Sequence, residues 1–280
     1  MPTIAYLGPE HTNTHLAALT RFGKRARYVH APTVEEVFHR VERRRADYGV
    51  VPIENSLEGA VTHTLDRFID FQDSPANIHG EVELTIVHYL IFRNGTNLKK
   101  IRVVYSHPQA LAQCRHWLQQ RLPHVQLSET SSTAEAVDEL ISFEPSPHFL
   151  PEERAAIGRR ELAEKFQLRR VPIPEERENK TRFLILGLGQ AKRGRRNKTS
   201  ILFSLKDRPG ALYDALMPFK REQINLTKIE SRPSKQKAWE YYFFIDVEGH
   251  ESEPRVRRAL KALEVSTLFL RVLGSYPLAK

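Results

Sequence analysis

The sequence contains almost no cysteine and no long apolar run. Cys114 is its one cysteine among 280 residues, so an intrachain disulfide is excluded and a reducing compartment is expected. No apolar run reaches the roughly 18 residues that indicate a membrane-spanning helix. Residues 1–4 lead directly into an apolar strand pattern, without the basic segment and long apolar core of a signal peptide. We therefore expect a cytoplasmic protein without membrane contact.

Acidic residues are outnumbered by basic ones, and the formal net charge is +9. This charge admits an anionic partner, either a nucleic acid or a small acid. The densest basic cluster has no interleaved aromatic residues on which single-stranded nucleic acid could stack, and it has no Gly-Lys-Ser/Thr triplet of a phosphate loop. We interpret the cluster as a solvated linker and expect no nucleic-acid partner. Its members are Lys192, Arg193, Arg195, Arg196 and Lys198.

The hydrophobic pattern changes near residue 190. Before it, short apolar runs such as 4–7, 48–53 and 101–105 alternate with helical patterns, which predicts an α/β region with largely parallel sheets. Residues 187–199 are rich in glycine and charge and indicate a domain boundary. The remainder predicts the order βαββαβ of a ferredoxin-like domain.

Four loops of the first region share one arrangement, in which a buried strand ends, small polar residues follow and a helix begins. They cover residues 8–14, 54–59, 106–109 and 130–133. In open α/β sheets, ligands bind beyond the carboxyl ends of the strands, where helix N-termini present N–H groups to anions. Together the loops predict a site for an anion with more than one charge.

Two histidines and the cysteine are candidate reactive groups. His11 and His15 have the i, i+4 spacing of a metal pair, but no third ligand and no zinc-protease glutamate accompany them. We expect no metal site. Cys114 falls on the apolar side of a predicted helix containing Leu111 and Trp117, so a buried structural thiol is expected.

Several segments resemble those of the prephenate dehydratase family. Residues 6–10 match its opening, 51–59 its central signature and 106–114 a second signature, while 179–183 contain its Thr-Arg-Phe motif. The C-terminal region resembles an ACT domain through residues 208–212 and 230–233. The resemblance covers nearly the whole chain in the family's order.

The resemblance implies an α/β fold in two parts. Residues 1–190 would form a two-lobed, type II periplasmic-binding-protein-like catalytic region. Its first lobe would comprise about 1–77 and 176–190, and its second lobe about 78–175. Residues 200–280 would form a ferredoxin-like (βαββαβ) ACT regulatory domain.

The resemblance also implies a reaction without a cofactor. Prephenate would lose carbon dioxide and water to give phenylpyruvate in L-phenylalanine biosynthesis, with feedback by L-phenylalanine. Arogenate as substrate remains an alternative, as does a non-catalytic regulatory protein that binds small acids on the same fold.

Individual site residues follow from the matching motifs. Thr181 would donate to the departing hydroxyl, and Asn55, Ser106 and Gln113 would orient the substrate. Further substrate contacts are implied for Glu54, Ser56, Ser132, Thr133, Arg182 and Phe183. Arg182 could pair either with a substrate carboxylate or with a protein carboxylate. The family usually has glycine at the place of His11 and an aromatic residue at the place of Asn13, which leaves the role of this loop open.

The ACT resemblance implies a phenylalanine site and a homodimer or homotetramer, because ACT domains commonly pair side by side. The residues implied for phenylalanine are Gly210, Ala211, Leu212, Asn225, Glu230, Ser231, Arg232 and Pro233.

Overall fold

The structure is a computed structural model that describes residues 1–142, 149–174, 178–234 and 239–279. The chain forms two compact units. The first comprises residues 1–7, 17–83 and 181–280, and the second comprises residues 8–16 and 84–180. The predicted return of the chain to lobe one at residue 176 lies outside the described residues.

The elements below follow the order of the chain. The described helices are α1 (Asn13–Phe22), α2 (Val34–Glu42), α3 (Thr62–Asp70), α4 (Pro108–Gln113), α5 (Arg115–Arg121), α6 (Thr133–Ile141), α7 (Arg160–Lys165), α8 (Ala211–Arg221) and α9 (Pro254–Ser266). The described strands are β1 (Thr3–Leu7), β2 (Arg27–Ala31), β3 (Tyr48–Asn55), β4 (Gly59–Ala60), β5 (Ala76–Thr85), β6 (His88–Phe92), β7 (Val103–Ser106), β8 (Gln126–Glu129), β9 (Arg154–Gly158), β10 (Arg169–Ile173), β11 (Lys180–Leu188), β12 (Asn197–Leu205), β13 (Leu226–Pro233), β14 (Tyr241–Glu248) and β15 (Thr267–Pro277). None of these helices has the length and apolarity needed to cross a membrane.

The first sheet of the first unit has the strand order β2-β1-β3-β11-β5. Strand β1 is parallel to β2 and β3, whereas β11 runs antiparallel to β3. In that pair Thr181 lies opposite Asn55 and Arg182 opposite Glu54. Helices α2 and α3 contribute Phe38 and Phe68 to the core of this sheet. The sheet therefore sets two motifs that are distant in sequence side by side.

The C-terminal domain has the predicted βαββαβ order, which is confirmed, and a sheet of order β13-β14-β12-β15. Helices α8 and α9 cover one face through residues such as Phe219 and Leu263. The other face contributes Phe244 and Tyr276 to the same core as Phe68. The sheet of this domain is thus covered by its own helices on one face and by the core of the first sheet on the other.

One part of the predicted linker is wrong. The sequence predicts a solvated segment at Lys198, but this residue lies in β12, is 5% exposed and pairs with Glu81 at 2.9 Å. The strand begins at Asn197 because its backbone pairs with both β14 and β15. Residues 192, 193, 195 and 196 are exposed, as expected.

The second unit contains a mixed sheet of order β10-β6-β9-β7-β8. Strand β7 is parallel to β8 and β9, and β6 is antiparallel to β9 and β10. The single helix predicted around Leu111 and Trp117 is wrong in its continuity, because the backbone turns at Cys114 (φ −87°, ψ −1°) and separates α4 from α5. Cys114 itself is buried, as predicted.

Candidate active site

The first unit brings Thr181 and Asn55 into direct contact. Asn55 Nδ2 donates a hydrogen bond to Thr181 Oγ1 at 2.9 Å. Asn55 Oδ1 in turn accepts from the backbone N–H groups of Leu57 and Glu58 at 2.9 and 3.2 Å. The side-chain amide is therefore held at both ends. Because Thr181 Oγ1 accepts from Asn55, its own O–H proton is left for donation, which is the arrangement a hydroxyl donor to a leaving group requires.

Glu54 and Arg182 occupy the adjacent positions of the same two strands and form an ion pair of 3.0 Å. Arg182 also lies 3.2 Å from Glu81 and 2.6 Å from Asp246. Burial alone would lower its pKa, but the Asp246 and Glu81 carboxylates more than offset this and raise the pKa of Arg182. Its charge is thus matched by carboxylates of the protein. Of the two alternatives for Arg182, the geometry favours the structural ion pair.

The two other residues implied for substrate contact in this unit differ in exposure. Ser56 is exposed in the turn that follows β3. Phe183 is 1% exposed and belongs to the buried core. The register of β11 against β3 shifts between Arg182 and Phe183, and such a bulge re-aims the side chains that follow it. The burial of the Phe183 side chain argues against its implied contact with substrate.

In the second unit, Ser106 and Gln113 each have defined partners. Ser106 is fully buried at the end of β7 and donates to the carbonyl of Ile157 at 2.9 Å. Gln113 Oε1 accepts from Asn179 Nδ2 at 3.0 Å and pairs with His88 Nε2 at 2.8 Å. His88 and Asn179 were missed as candidates from sequence. Asn179 carried a signal, since it stands two positions before Thr181.

Ser132 acts as the N-cap of α6. Its Oγ accepts from the backbone N–H of Glu135 at 3.0 Å, which confirms the predicted start of this helix. The Glu135 carboxylate accepts a hydrogen bond from the backbone N–H of Ser131 at 2.6 Å. Thr133 is the first residue of the helix. In the capping contact the Ser132 hydroxyl acts as acceptor, so its O–H proton stays available for the implied substrate contact.

The loop that departs from the family pattern is tightly held within the second unit. His11 has a left-handed backbone (φ 65°), and its N–H donates to His15 Nδ1 at 3.0 Å. His11 Nε2 lies 2.7 Å from Lys165 Nζ. Burial, and next the charge of Lys165, lower the pKa of His11, and burial likewise lowers the pKa of His15. Among the residues that the structure describes, no three His, Cys, Asp or Glu side chains are grouped to hold a metal.

Arg159 is a buried cation that the sequence analysis missed. It follows β9 directly, is 7% exposed and donates through Nη2 to the carbonyl of His11. Its Nε and Nη1 atoms have no hydrogen-bond partner within the described chain. Burial lowers its pKa. Leaving N–H groups of a buried cation without hydrogen bonds is costly, so an anion that accepts from Nε and Nη1 would be stabilising. Strand β9 is the parallel neighbour of β7, which ends at Ser106.

The C-terminal domain has a pocket of about 580 Å³ beside the start of α8. Ala211 and Leu212 line it, together with Trp239, while Gly210 adopts a left-handed backbone (φ 77°) as the N-cap. The remaining lining residues are Leu205, Lys206, Asp207, Arg208, Glu240, Tyr241, Phe243 and Leu268.

Residues 230–233 lie on β13, where Ser231 and Pro233 pair with Phe243 and Tyr241 of β14, two of the residues that line this pocket. Arg232 pairs with Asp66 of α3 at 2.9 Å, and Asn225 is exposed just before the strand. Of the two segments implied for phenylalanine, Ala211 and Leu212 thus line the pocket, while Ser231 and Pro233 are the strand partners of other lining residues.

Comparison with known proteins gives the family. Residues 4–191 match the family model described as prephenate dehydratase, and residues 199–265 match the ACT domain. A bifunctional chorismate mutase/prephenate dehydratase of Aquifex aeolicus is 48% identical over 99% of this chain and 74% of its own. A prephenate dehydratase of Methanocaldococcus jannaschii is 43% identical over 88% of this chain and 86% of its own. The crystal structure of an Arthrobacter aurescens prephenate dehydratase in complex with L-Phe has a TM-score of 0.87 at 33% identity, covering 99% of this chain and 90% of that one.

The fold and the site define a mixed α/β catalytic region followed by an ACT domain, and the predicted fold class is confirmed. The chain belongs to the prephenate dehydratase family. Its enzyme class, a dehydratase, is the one that the sequence predicted.

Proposed function

We propose that this chain converts prephenate to phenylpyruvate, with Thr181 as the hydrogen-bond donor to the departing hydroxyl. The observation that carries the proposal is the 2.9 Å contact from Asn55 Nδ2 to Thr181 Oγ1, which orients the hydroxyl. In the reaction the bond from the ring to its carboxylate breaks, and its electrons complete the aromatic ring. The ring C–O bond breaks at the opposite position, and carbon dioxide and hydroxide leave. A threonine hydroxyl is a weak acid, so Thr181 stabilises the developing negative charge chiefly by hydrogen bonding.

Ser106 and Gln113 are proposed to act as positioning residues for the substrate. Ser106 donates its proton to Ile157, so it fixes the end of β7 rather than offering that proton to a ligand. Gln113 is held in place through its Oε1, which accepts from Asn179 and pairs with His88. Asn179 donates to Gln113 Oε1, so it is proposed as a further positioning residue.

Arg159 is proposed to bind one carboxylate of the substrate. Arg182 is paired with three protein carboxylates, whereas two nitrogen atoms of Arg159 have no partner in the described chain. Arg159→Gln is expected to raise KM for prephenate by roughly 10-fold or more, since hydrogen bonds to charged groups contribute about 1.5–3 kcal/mol. The matched control is Arg160→Gln, because Arg160 is adjacent, 59% exposed and paired with Glu164. Equal KM values for the two variants would contradict this role.

L-Phenylalanine is proposed to inhibit the enzyme by binding at the C-terminal pocket. The left-handed Gly210 lets a ligand approach the backbone, the following α8 N-terminus favours a carboxylate, and Leu212 and Trp239 offer apolar surface. Leu212→Asp is expected to abolish inhibition and to leave uninhibited turnover unchanged. Retained inhibition in a folded Leu212→Asp enzyme would argue against this pocket.

A homodimer or homotetramer is part of the same proposal, because ACT domains commonly pair side by side. Large exposed apolar residues around the C-terminal domain support this: Tyr213, Ile229, Trp239, Val265 and Leu268. Sedimentation of the purified chain tests it. A cytoplasmic location is proposed because the lone, buried Cys114 suits a reducing compartment.

The substrate itself is tested by measuring turnover of prephenate and of arogenate side by side. Formation of phenylpyruvate from prephenate, without an added cofactor, supports the proposal. Exclusive use of arogenate would establish the alternative substrate, and no turnover of either would favour a regulatory protein that binds small acids.

A further inference from the structure

A network of buried charges joins the strands that carry Asn55 and Thr181 to the C-terminal domain. We call it the strand-pair network, and its members are Glu54, Glu81, Arg182, Lys198, Lys228 and Asp246. It contains three cations and three carboxylates, so its formal charges balance. Three of its contacts join the first sheet to the C-terminal strands: Lys198 of β12 to Glu81 at 2.9 Å, Lys228 of β13 to Glu54 at 3.1 Å, and Asp246 of β14 to Arg182 at 2.6 Å.

The network reaches the catalytic pair through adjacent residues. Glu54 precedes Asn55 on β3, and Arg182 follows Thr181 on β11, in one antiparallel register. Successive side chains of a strand point to opposite faces. The Glu54–Arg182 ion pair and the Asn55–Thr181 hydrogen bond therefore occupy adjacent positions on opposite faces of the same two strands. Because they share one backbone, a shift of the ion pair also moves the hydrogen-bonded pair.

The C-terminal end of the network is held rigidly. Ser200 donates to Asp246 Oδ1 at 2.6 Å, and the buried Tyr276 hydroxyl lies 2.7 Å from Ser200 Oγ. Asp246 of β14 is thus held by Arg182 of β11 and by Ser200 of β12. Lys228 differs from it, because its partner Glu54 is 37% exposed. The Lys228–Glu54 contact is the end of the network that can be changed with least damage to the fold.

Strand β13 carries both Lys228 and the segment 230–233. Any ligand or partner chain that moves or orders this strand also moves Lys228 relative to Glu54. We propose that Lys228 and Asp246 are positioning residues for Asn55 and Thr181, and that the Lys228–Glu54 ion pair transmits ligand binding on the C-terminal domain to turnover. The inference rests on the proposed function, since it concerns the regulation of that site.

The test compares Lys228→Met with Lys261→Met in the full-length enzyme. Lys261 is exposed on α9 of the same domain, so its variant makes the same chemical change outside the network. Lys228→Met is expected to lower kcat about 10-fold, on the scale of one charged hydrogen bond, with little change in KM. Phenylalanine should still bind, as measured by calorimetry. The ratio of turnover without phenylalanine to turnover with it should, however, approach one.

A conservative variant separates positioning from a merely structural role. Lys228→Arg keeps the cation and should retain both turnover and inhibition, whereas Lys228→Met should lose inhibition while its melting temperature stays near that of Lys261→Met. The inference is overturned if Lys228→Met has the kcat and the inhibition ratio of Lys261→Met. An inactive wild-type enzyme would refute the proposed function and this inference with it, while an active wild type with an unaffected Lys228→Met refutes this inference alone.

Discussion

Replacing Thr181 with valine should remove most turnover and leave the fold intact. Valine keeps the β-branched shape that suits β11, but it loses the hydroxyl that accepts from Asn55 Nδ2. Loss of one donor to a developing anion typically lowers kcat by about 10²–10³-fold. KM should change little, because the interaction strengthens in the transition state rather than in the bound ground state.

The cost to stability is much smaller than the cost to catalysis. The variant loses one side-chain hydrogen bond within the β3–β11 pair, which corresponds to about 1 kcal/mol. A loss of that size lowers the melting temperature by about 2–4 °C in a chain of this class. The protein therefore stays folded at 25 °C, while the activation free energy of the catalysed reaction rises by about 2.7–4 kcal/mol.

Thr64→Val is the matched control for this experiment. Thr64 is fully buried in the same unit and donates to the carbonyl of Pro52 at 2.6 Å, so its valine variant should melt earlier but turn over normally. Thr181→Ser keeps a hydroxyl and should retain more turnover than Thr181→Val. Phenylpyruvate absorbance and thermal melts by circular dichroism give both quantities. Turnover of Thr181→Val within about threefold of that of Thr64→Val would refute the reasoning, given the size of the expected loss.

Two further predictions concern stability. A chain ending at Ala191 should fail to give a soluble, cooperatively melting protein, because Phe244 and Tyr276 share the core of the first sheet and Asp246 neutralises Arg182; a sharp melt would contradict this. Stability should also fall as the pH drops below about 6.5, because burial, and then Lys165, lower the pKa of His11. The unfolded chain then binds more protons than the native one, so this stability is full above that pH and is lost on acidification. His11→Asn should lose less between about pH 7.5 and 5.5 in urea unfolding, and an equal loss would show that His11 does not contribute.

Local signals predicted the elements whose ends are set by nearby residues. Ser132 begins α6 because its own side chain caps the helix, and this can be read from the sequence. The turn at Cys114 could not be read, because the apolar pattern continues across it. The place of β11 between β3 and β5 could not be predicted either, because this strand pairs with residues more than a hundred positions away in the sequence.

The candidate site shows the same limit. The resemblance named Thr181 and Asn55 separately, but their contact depends on strand register. Arg159 gave no sequence signal, since an arginine after a strand is usually a surface residue; only its burial and its unpaired nitrogen atoms make it notable. The partners of Arg182 were equally hidden, because Asp246 belongs to another domain in the sequence.

The central position of β11 has a consequence for synthesis on the ribosome. Asn55 and Thr181 are 126 residues apart, and at about 5–20 residues per second the later strand emerges roughly 6–25 s after the earlier one. During that interval the edge of β3 that will receive β11 has its backbone N–H and C=O groups unpaired, and such an edge invites pairing with other chains. The catalytic pair therefore forms late in the life of the nascent chain, and slower translation lengthens the period in which that edge is open to aggregation.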